Sequence, residues 1–464
     1  MHRRPLSPVR AWSAAGLLSI VAPLAGLAQE PSEPVPSATA KAETVSVLDA
    51  KKAGTLAVDV RGHGQSQVRM VLKNTSGRRL NVVLPPGLVA ASATGQGAAG
   101  GAGGAGGGGL QSMGLGQAGN AAGAFGKFQG DNNANAPGFR SMGFDMEQVI
   151  APLTIPAGQT VTVDVPSICL NFGLPSPGAK DKLTLVDVDD YSRDPRVRKA
   201  LRSLATLGTS QGTAQAVMWN VSNNVPFATM LEQGEKVTNR YEVALASRFV
   251  EALDASSGTD RVDPAYLSES RVFVTILDRN GLGKDARRLA SEMEGLRVLG
   301  LPVRTAVASE LPKASGPALH LLVDVSKGKA GETVGKVRVH HHSGLSAAVG
   351  SSDGSDWNTL GQANFRDEIG PTELKSLDLA RDLDRAVASA FVVARPARKA
   401  VGDTTMRIEN RLPFSLASVT LRAGTTSGAP PVTFRGLGIG PARSGVAVIE
   451  APHGTVDRVE LNGL

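Results

Sequence analysis

The chain has 464 residues, 41% of them hydrophobic and only 4% aromatic, which suffices for two to four domains with cores built from Val, Leu, Ala and Ile. Its net charge of +7 is scattered, without the basic stripe and interleaved rings that nucleic-acid binding requires, so that class is excluded. A single cysteine, Cys169, excludes an intrachain disulfide.

The first 28 residues read as a cleavable secretory signal. Arg3, Arg4 and Arg10 stand without an acid, Ala14 to Leu27 form an apolar run, and Ala25-Gly26-Leu27-Ala28 supplies the small residues before a cut after Ala28. That run is shorter than the roughly 20 residues needed to span a bilayer, and Pro23 interrupts it. The Arg3-Arg4 pair leaves twin-arginine export open. Losing three arginines leaves the mature chain at +4. No later stretch is apolar enough to cross a membrane and no Cys follows Ala28 to take a lipid, so the mature chain is expected to be free of a transmembrane segment and to work in the periplasm, at the cell surface or as a secreted protein.

Residues 29–44, rich in Pro, Ser and Ala, read as a flexible linker. Leu56–Val60, Gln67–Leu72 and Leu80–Leu84 then alternate apolar and polar residues between Gly and Asn turns, the pattern of an antiparallel meander. A segment over about 90–135, dominated by Gly and Ala, lacks any apolar period and is expected to be a flexible insertion without a core. Alternation resumes over Thr154–Val165 and continues through Cys169. Together these strands predict an immunoglobulin-like β-sandwich.

A helix is announced by Asp194 as cap and Pro195 at its first turn, with Val197, Leu201 and Leu204 on one face and Gly208 as its stop. A second, about 211–221, buries Ala214, Val217, Met218 and Val221, with Gln215 and Trp219 beside that stripe. These helices complete a first domain over 45–235. Helices near 240–255, 286–298 and 377–390, mixed with strands at 271–277, 301–307, 319–325 and 335–340, predict a small α/β domain over 236–402. Five short strands between Met406 and Leu461 predict a β domain over 403–464. The expected fold class is thus multidomain α+β.

One pair of segments carries a chemical suggestion. Ile168-Cys169-Leu170-Asn171, followed by Gln215-Ala216-Val217-Met218-Trp219, resembles the two signatures of bacterial surface thioester domains, in which a strand Cys and a helix Gln join with loss of ammonia. The resemblance covers about 60 residues and implies that Cys169 and Gln215 form an internal thioester shielded by Trp219, which would capture an amine on another surface. By residue type alone, Cys169 equally fits a small buried hydrophobe on a strand, with Gln215 and Trp219 covering a helix edge.

Other clusters carry less. His340, His341 and His342 are consecutive, and a strand sends neighbours to opposite faces, so at most two share a site with His320 or Asp324; polar residues at the surface are the plainer reading. Asp187, Asp189 and Asp190 lack the Gly and closing Glu of a calcium loop and read as a solvated turn. No nucleophile elbow, paired zinc-binding His motif or phosphate loop occurs, so no enzyme, metal or cofactor is expected. Two functional expectations remain open: a non-enzymatic extracellular interaction or structural protein of unknown partner, and a covalent adhesin-like protein acting through Cys169 and Gln215.

Overall fold

A computed structural model describes residues 43–93, 109–116, 152–232, 237–269, 271–277, 284–327, 333–350, 356–367, 375–396, 404–423, 431–449 and 454–464. The expected signal segment, almost all of the linker and most of the Gly-rich insertion lie outside these residues.

The N-terminal part contains β1 (Glu43–Ser46), α1 (Val47–Lys52), β2 (Leu56–Gly62), β3 (Gln67–Asn74), β4 (Leu80–Val83), β5 (Leu88–Ala91), β6 (Met113–Leu115), β7 (Leu153–Ile155), β8 (Thr160–Cys169) and β9 (Lys182–Asp187). Strict alternation drives the pairing: in β3, Val68, Met70 and Leu72 are buried while Gln67, Arg69 and Val71 face outward. Six of these strands close on themselves in the order β2-β3-β8-β6-β5-β9, all pairs antiparallel. The expected immunoglobulin-like sandwich is thus replaced by a closed barrel, flanked by the small sheet β1-β4-β7.

The closure depends on β6, which lies inside the segment expected to be a flexible insertion. Its three residues bridge β5 and β8, with Met113 opposite Cys169 and Leu115 opposite Ser167, and all three are buried. The sequence pattern hides this strand because Met113-Gly114-Leu115 is too short, among the surrounding Gly and Ala, to show an alternating period. Gly114 packs closely there: a Cβ would stand 2.7 Å from Leu201 Cδ1, so that side chain would have to shift to admit one.

Six helices follow: α2 (Val188–Tyr191), α3 (Pro195–Leu207), α4 (Gln211–Asn223), α5 (Phe227–Glu232), α6 (Arg240–Ala255) and α7 (Pro264–Ser268). Asp194 caps α3 and Gly208, at φ 65°, ends it. Ser210 caps α4, and Asn239 with Glu242 forms a complete capping box on α6. Helix α4 is buried continuously from Gly212 to Trp219, because the barrel, α3 and α6 surround it. Most buried residues of α6, including Val243, Ala246 and Phe249, join the barrel's core, so the first core extends past residue 235 to Leu267.

The second core spans both remaining parts. A six-stranded sheet runs β11-β12-β10-β13-β14-β15, formed by β10 (Val272–Leu277), β11 (Arg297–Val298), β12 (Leu301–Thr305), β13 (Ala318–Lys327), β14 (Thr333–His342) and β15 (Trp357–Asp367). Helices α8 (Lys284–Met293), α9 (Leu345–Val349) and α10 (Ser376–Phe391) accompany it. Two three-stranded sheets complete the chain, β16-β17-β20 and β19-β18-β21, from β16 (Val392–Pro396), β17 (Thr404–Asn410), β18 (Leu416–Ala423), β19 (Val432–Ile439), β20 (Ser444–Ile449) and β21 (Gly454–Leu461). Since β16 pairs with β17, the boundary expected at 402 falls inside a sheet. No helix among the described residues is long and apolar enough to cross a membrane.

If β6 closes the barrel, Met113→Ala should cost about 2–5 kcal/mol in urea unfolding, whereas the volume-conserving Met113→Leu should cost less than about 1.5 kcal/mol. Near-equal stability of wild type and Met113→Ala would remove β6 from the folding core.

Candidate functional site

Strand β8 outruns its neighbour. Its ladder with β3 ends at the pair Gln67 and Pro166, and Ser167 N–H reaches only to Ser66 O at 2.8 Å. On the other side Leu170 N–H donates to Ser112 O, so the peptide groups of Cys169 point away from β6 toward the place where β3 has ended. Gln215 fills that place. The Cys169 N–H donates to Gln215 Oε1 at 2.8 Å, and Gln215 Nε2 donates to Cys169 O at 2.8 Å, so one side-chain amide substitutes for the missing strand.

The same stripe of α4 continues the match. Gln211, Gln215, Trp219 and Asn223 follow one another at four-residue spacing on one helix face. Gln211 Nε2 donates to Ser167 O, Trp219 meets the Phe172 ring edge-on at 5.0 Å, and Asn223 Oδ1 accepts from Phe172 N–H at 3.1 Å. A helix face thereby reads the end of a strand residue by residue.

The Cys169 thiol is only 4% exposed, 3.7 Å from Gln65 O and 3.8 Å from Ser176 Oγ. Burial pushes its pKa up to about 11, against a smaller opposing contribution from the Ser176 hydroxyl, so the sulfur carries its proton at neutral pH.

A second buried network holds the N-terminus of α4 in place. Glu242, 1% exposed, accepts from Ser210 Oγ at 3.0 Å, from Asn239 N–H at 2.9 Å and from Arg443 Nη2 at 2.7 Å. It joins α4, α6 and the turn between β19 and β20. Gly212 makes the approach possible, because a Cβ there would stand 2.1 Å from Glu242 Oε2. The capping pattern from Asn239 to Glu242 is legible in the sequence; the ion pair with Arg443, 201 residues away, is not.

Between these two networks lies a cavity of about 420 Å³. Cys169, Gln215, Trp219, Gln111 and Glu242 form its buried walls, while Gln65 and Val237 stand exposed at its mouth. Gln111, which sequence reasoning passed over, lies just before β6. A larger depression of about 550 Å³ follows α3, yet its cations are engaged: Arg196 with Asp254 at 2.8 Å, Arg202 with Asp189 at 2.7 Å, Arg198 with Asp189 at 3.5 Å, and Lys199 with the last carbonyls of α6. It is a salt-bridged seam.

The remaining sequence candidates separate. Asp187 caps α2 and shares Arg202 with Asp189, whose carboxyl is held below the usual range chiefly by the Arg202 hydrogen bond; Asp190 sits exposed on α2. His320 and His340 are opposed across β13 and β14 with ring centres 6.4 Å apart, and His342 shares their face beside Trp357. His341 points to the other face, against Tyr241 at 5.6 Å. Thr275 Oγ1 donates to Ala306 O, so it accepts from His320 Nε2 at 2.9 Å, and burial lowers the His320 pKa to about 4. Asp324 lies further along β13, opposite Lys336. Among the described residues no group of three or more His, Cys, Asp or Glu side chains is placed to hold a metal ion.

No family model, curated protein or solved structure matches the chain.

Losing the amide that replaces the missing strand strands a buried N–H and a buried C=O. Gln215→Ala should therefore lower unfolding stability by about 2–5 kcal/mol, and Gln215→Met, which keeps the length but not the polarity, by a comparable amount. A Gln215→Met protein as stable as wild type in chemical unfolding would show that the contact is packing alone.

Proposed function

We propose that this protein is a non-enzymatic interaction protein that works outside the cytoplasm after removal of residues 1–28, and that the crevice between the barrel, α4 and the turn joining β19 and β20 is its contact site. The observation that carries this reading is the cavity itself, walled by two buried polar networks drawn from segments as distant as Cys169 and Arg443. Fixed walls favour recognition because little ordering remains to be done on binding. The protonated, buried Cys169 thiol supports binding over nucleophilic turnover.

The test places a photo-crosslinking residue at Val237, at the cavity mouth and 41% exposed, and for comparison at Val307 in the loop after β12, 72% exposed. In the producing cells, a partner adduct from position 237 and none from 307 is the expected result. Adducts from 307 alone would move the contact site to the α/β part.

A second reading is favoured by one observation, the direct contact of Cys169 with Gln215. In it the pair forms a thioester: Sγ bonds to Cδ of Gln215, the C–N bond breaks, and the amide nitrogen leaves as ammonia with the thiol proton. The Cys169 N–H at 2.8 Å from Oε1 would stabilise the oxyanion of the tetrahedral intermediate. An incoming amine then forms an amide with Cδ and returns the proton to sulfur. Intact mass of the mature protein, purified without amines or reductant, decides it. A deficit of one ammonia, absent in Cys169→Ala and reversed by methylamine addition at Gln215, is the expected outcome. The full calculated mass with an alkylatable thiol after unfolding leaves the non-covalent reading.

A further inference from the structure

We propose that residues 306–317, the loop joining β12 to β13, form a strap against the histidine-bearing face of the six-stranded sheet that acid releases, with His320 as its trigger. This goes beyond the crevice reading and does not depend on it.

Side-chain donors hold the strap. Thr275 Oγ1 donates to Ala306 O at 2.9 Å, Trp357 Nε1 to Pro312 O at 3.1 Å, His342 Nδ1 to Gly316 O at 2.8 Å and Arg271 Nη1 to Pro317 O at 3.1 Å. The backbone adds Ala306 N–H to Val274 O at 2.9 Å and, within the loop, Glu310 N–H to Val307 O at 3.4 Å. Between the ties Val307 and Leu311 stand 72% and 53% exposed, so little apolar burial fastens the loop and its position rests on those four donors.

His320 lies among these ties, 1% exposed, with the Trp357 ring at 5.8 Å. Its Nε2–H donates to Thr275 Oγ1, the same hydroxyl that holds Ala306 O, and its Nδ1 is buried without a partner among the described residues. A second proton would have to sit on Nδ1, where nothing accepts it. The charges on this face are mostly positive. His340, Arg338 and His342 share it from β14, Arg271 precedes β10, and Arg304 stands exposed on β12. Of the acids, Asp324 lies four residues along β13 opposite Lys336, and Asp356 accepts from Ser346 Oγ at 2.8 Å and stands 3.9 Å from His342 Nε2. Glu310 and Lys313 are exposed on the loop. Burial first, and then the charge of His340, lower the His320 pKa to about 4.

Protonated His320 therefore opposes the closed strap. Releasing the loop lets water reach the ring and returns it to its ordinary value of 6.5. A base whose pKa falls on burial favours the buried arrangement in full above that ordinary value. The closed state then loses ground by about tenfold per pH unit as pH falls from 6.5 toward 4. Release uncovers Trp357 and Phe273, whose rings meet edge-on at 6.3 Å on this face, beside Val307 and Leu311 of the freed loop. The device thus displays an apolar patch in acid and covers it at neutral pH.

Hydrogen exchange of the Trp357 indole N–H, followed by NMR on the full mature protein, tests the strap because Pro312 O holds that proton. His320→Gln keeps a donor for Thr275 but does not titrate, and comparing it with wild type at each pH cancels the intrinsic pH dependence of exchange. The ratio of wild-type to variant exchange rates is expected to rise about tenfold per pH unit between about pH 6 and about pH 4.5, with unchanged far-UV circular dichroism. A ratio that stays constant over that range, or that rises only together with loss of the far-UV signal, overturns the proposal. If the variant exchanges fast already at neutral pH, the wild type decides alone through the nitrogen shifts of the His320 ring. Protonation of Nδ1 in step with loss of indole protection upholds the strap; protonation without that loss overturns it.

Discussion

The reciprocal pair of hydrogen bonds between the Gln215 carboxamide and the Cys169 peptide groups decides where the helices sit on the barrel. A strand that extends past its neighbour has unpaired N–H and C=O groups, and burying them without partners costs about 1–3 kcal/mol each. Here a helix supplies the partner, which fixes α4 in rotation and in height at once: rotating it would carry Gln211, Gln215, Trp219 and Asn223 off the strand end together. The cavity lies where the helix meets the end of β8 through the long polar side chains of Gln211 and Gln215.

The Glu242 network extends the same constraint to the rest of the molecule. A carboxylate at 1% exposure is tolerable only with its lone pairs filled, and Ser210, Asn239 and Arg443 fill them. Such a pair adds little net stability over an apolar replacement, but removing one partner leaves a buried charge at a cost of about 3–5 kcal/mol. Its effect is positional. Arg443 belongs to the second core's sheets and Ser210 to the first core's helix, so the two cores meet in a defined register and the crevice has three fixed sides. Asn462 adds a further tie, donating from the end of β21 to Leu207 O and Gly208 O at the close of α3.

Some parts of the sequence were transparent. Asp194 with Pro195 and the period-two burial of β3 are local rules, read from neighbours in the chain and found in place. Strand β15 was not legible, because Trp357-Asn-Thr-Leu-Gly-Gln-Ala-Asn-Phe-Arg-Asp carries polar residues on most positions and declares its buried face only through Ala363 and Phe365. Strand β6 was hidden for a different reason: three residues among glycines have no period to detect, and they become a strand because β5 and β8 offer two free edges.

The sequence by itself determined the elements whose signals are local: the capped helices, the alternating strands, the separate Cys169 and Gln215 motifs, and the absence of any intrachain disulfide. Tertiary structure alone decided the barrel closure and the sharing of one core by residues on both sides of position 402. It also decided that Gln215 meets Cys169 through its backbone and that Gln111 and Arg443 belong to the same cavity. Propensity and period act over a few residues, whereas the pairing of a buried peptide group or carboxylate is settled by whichever distant segment reaches it first in the packed chain.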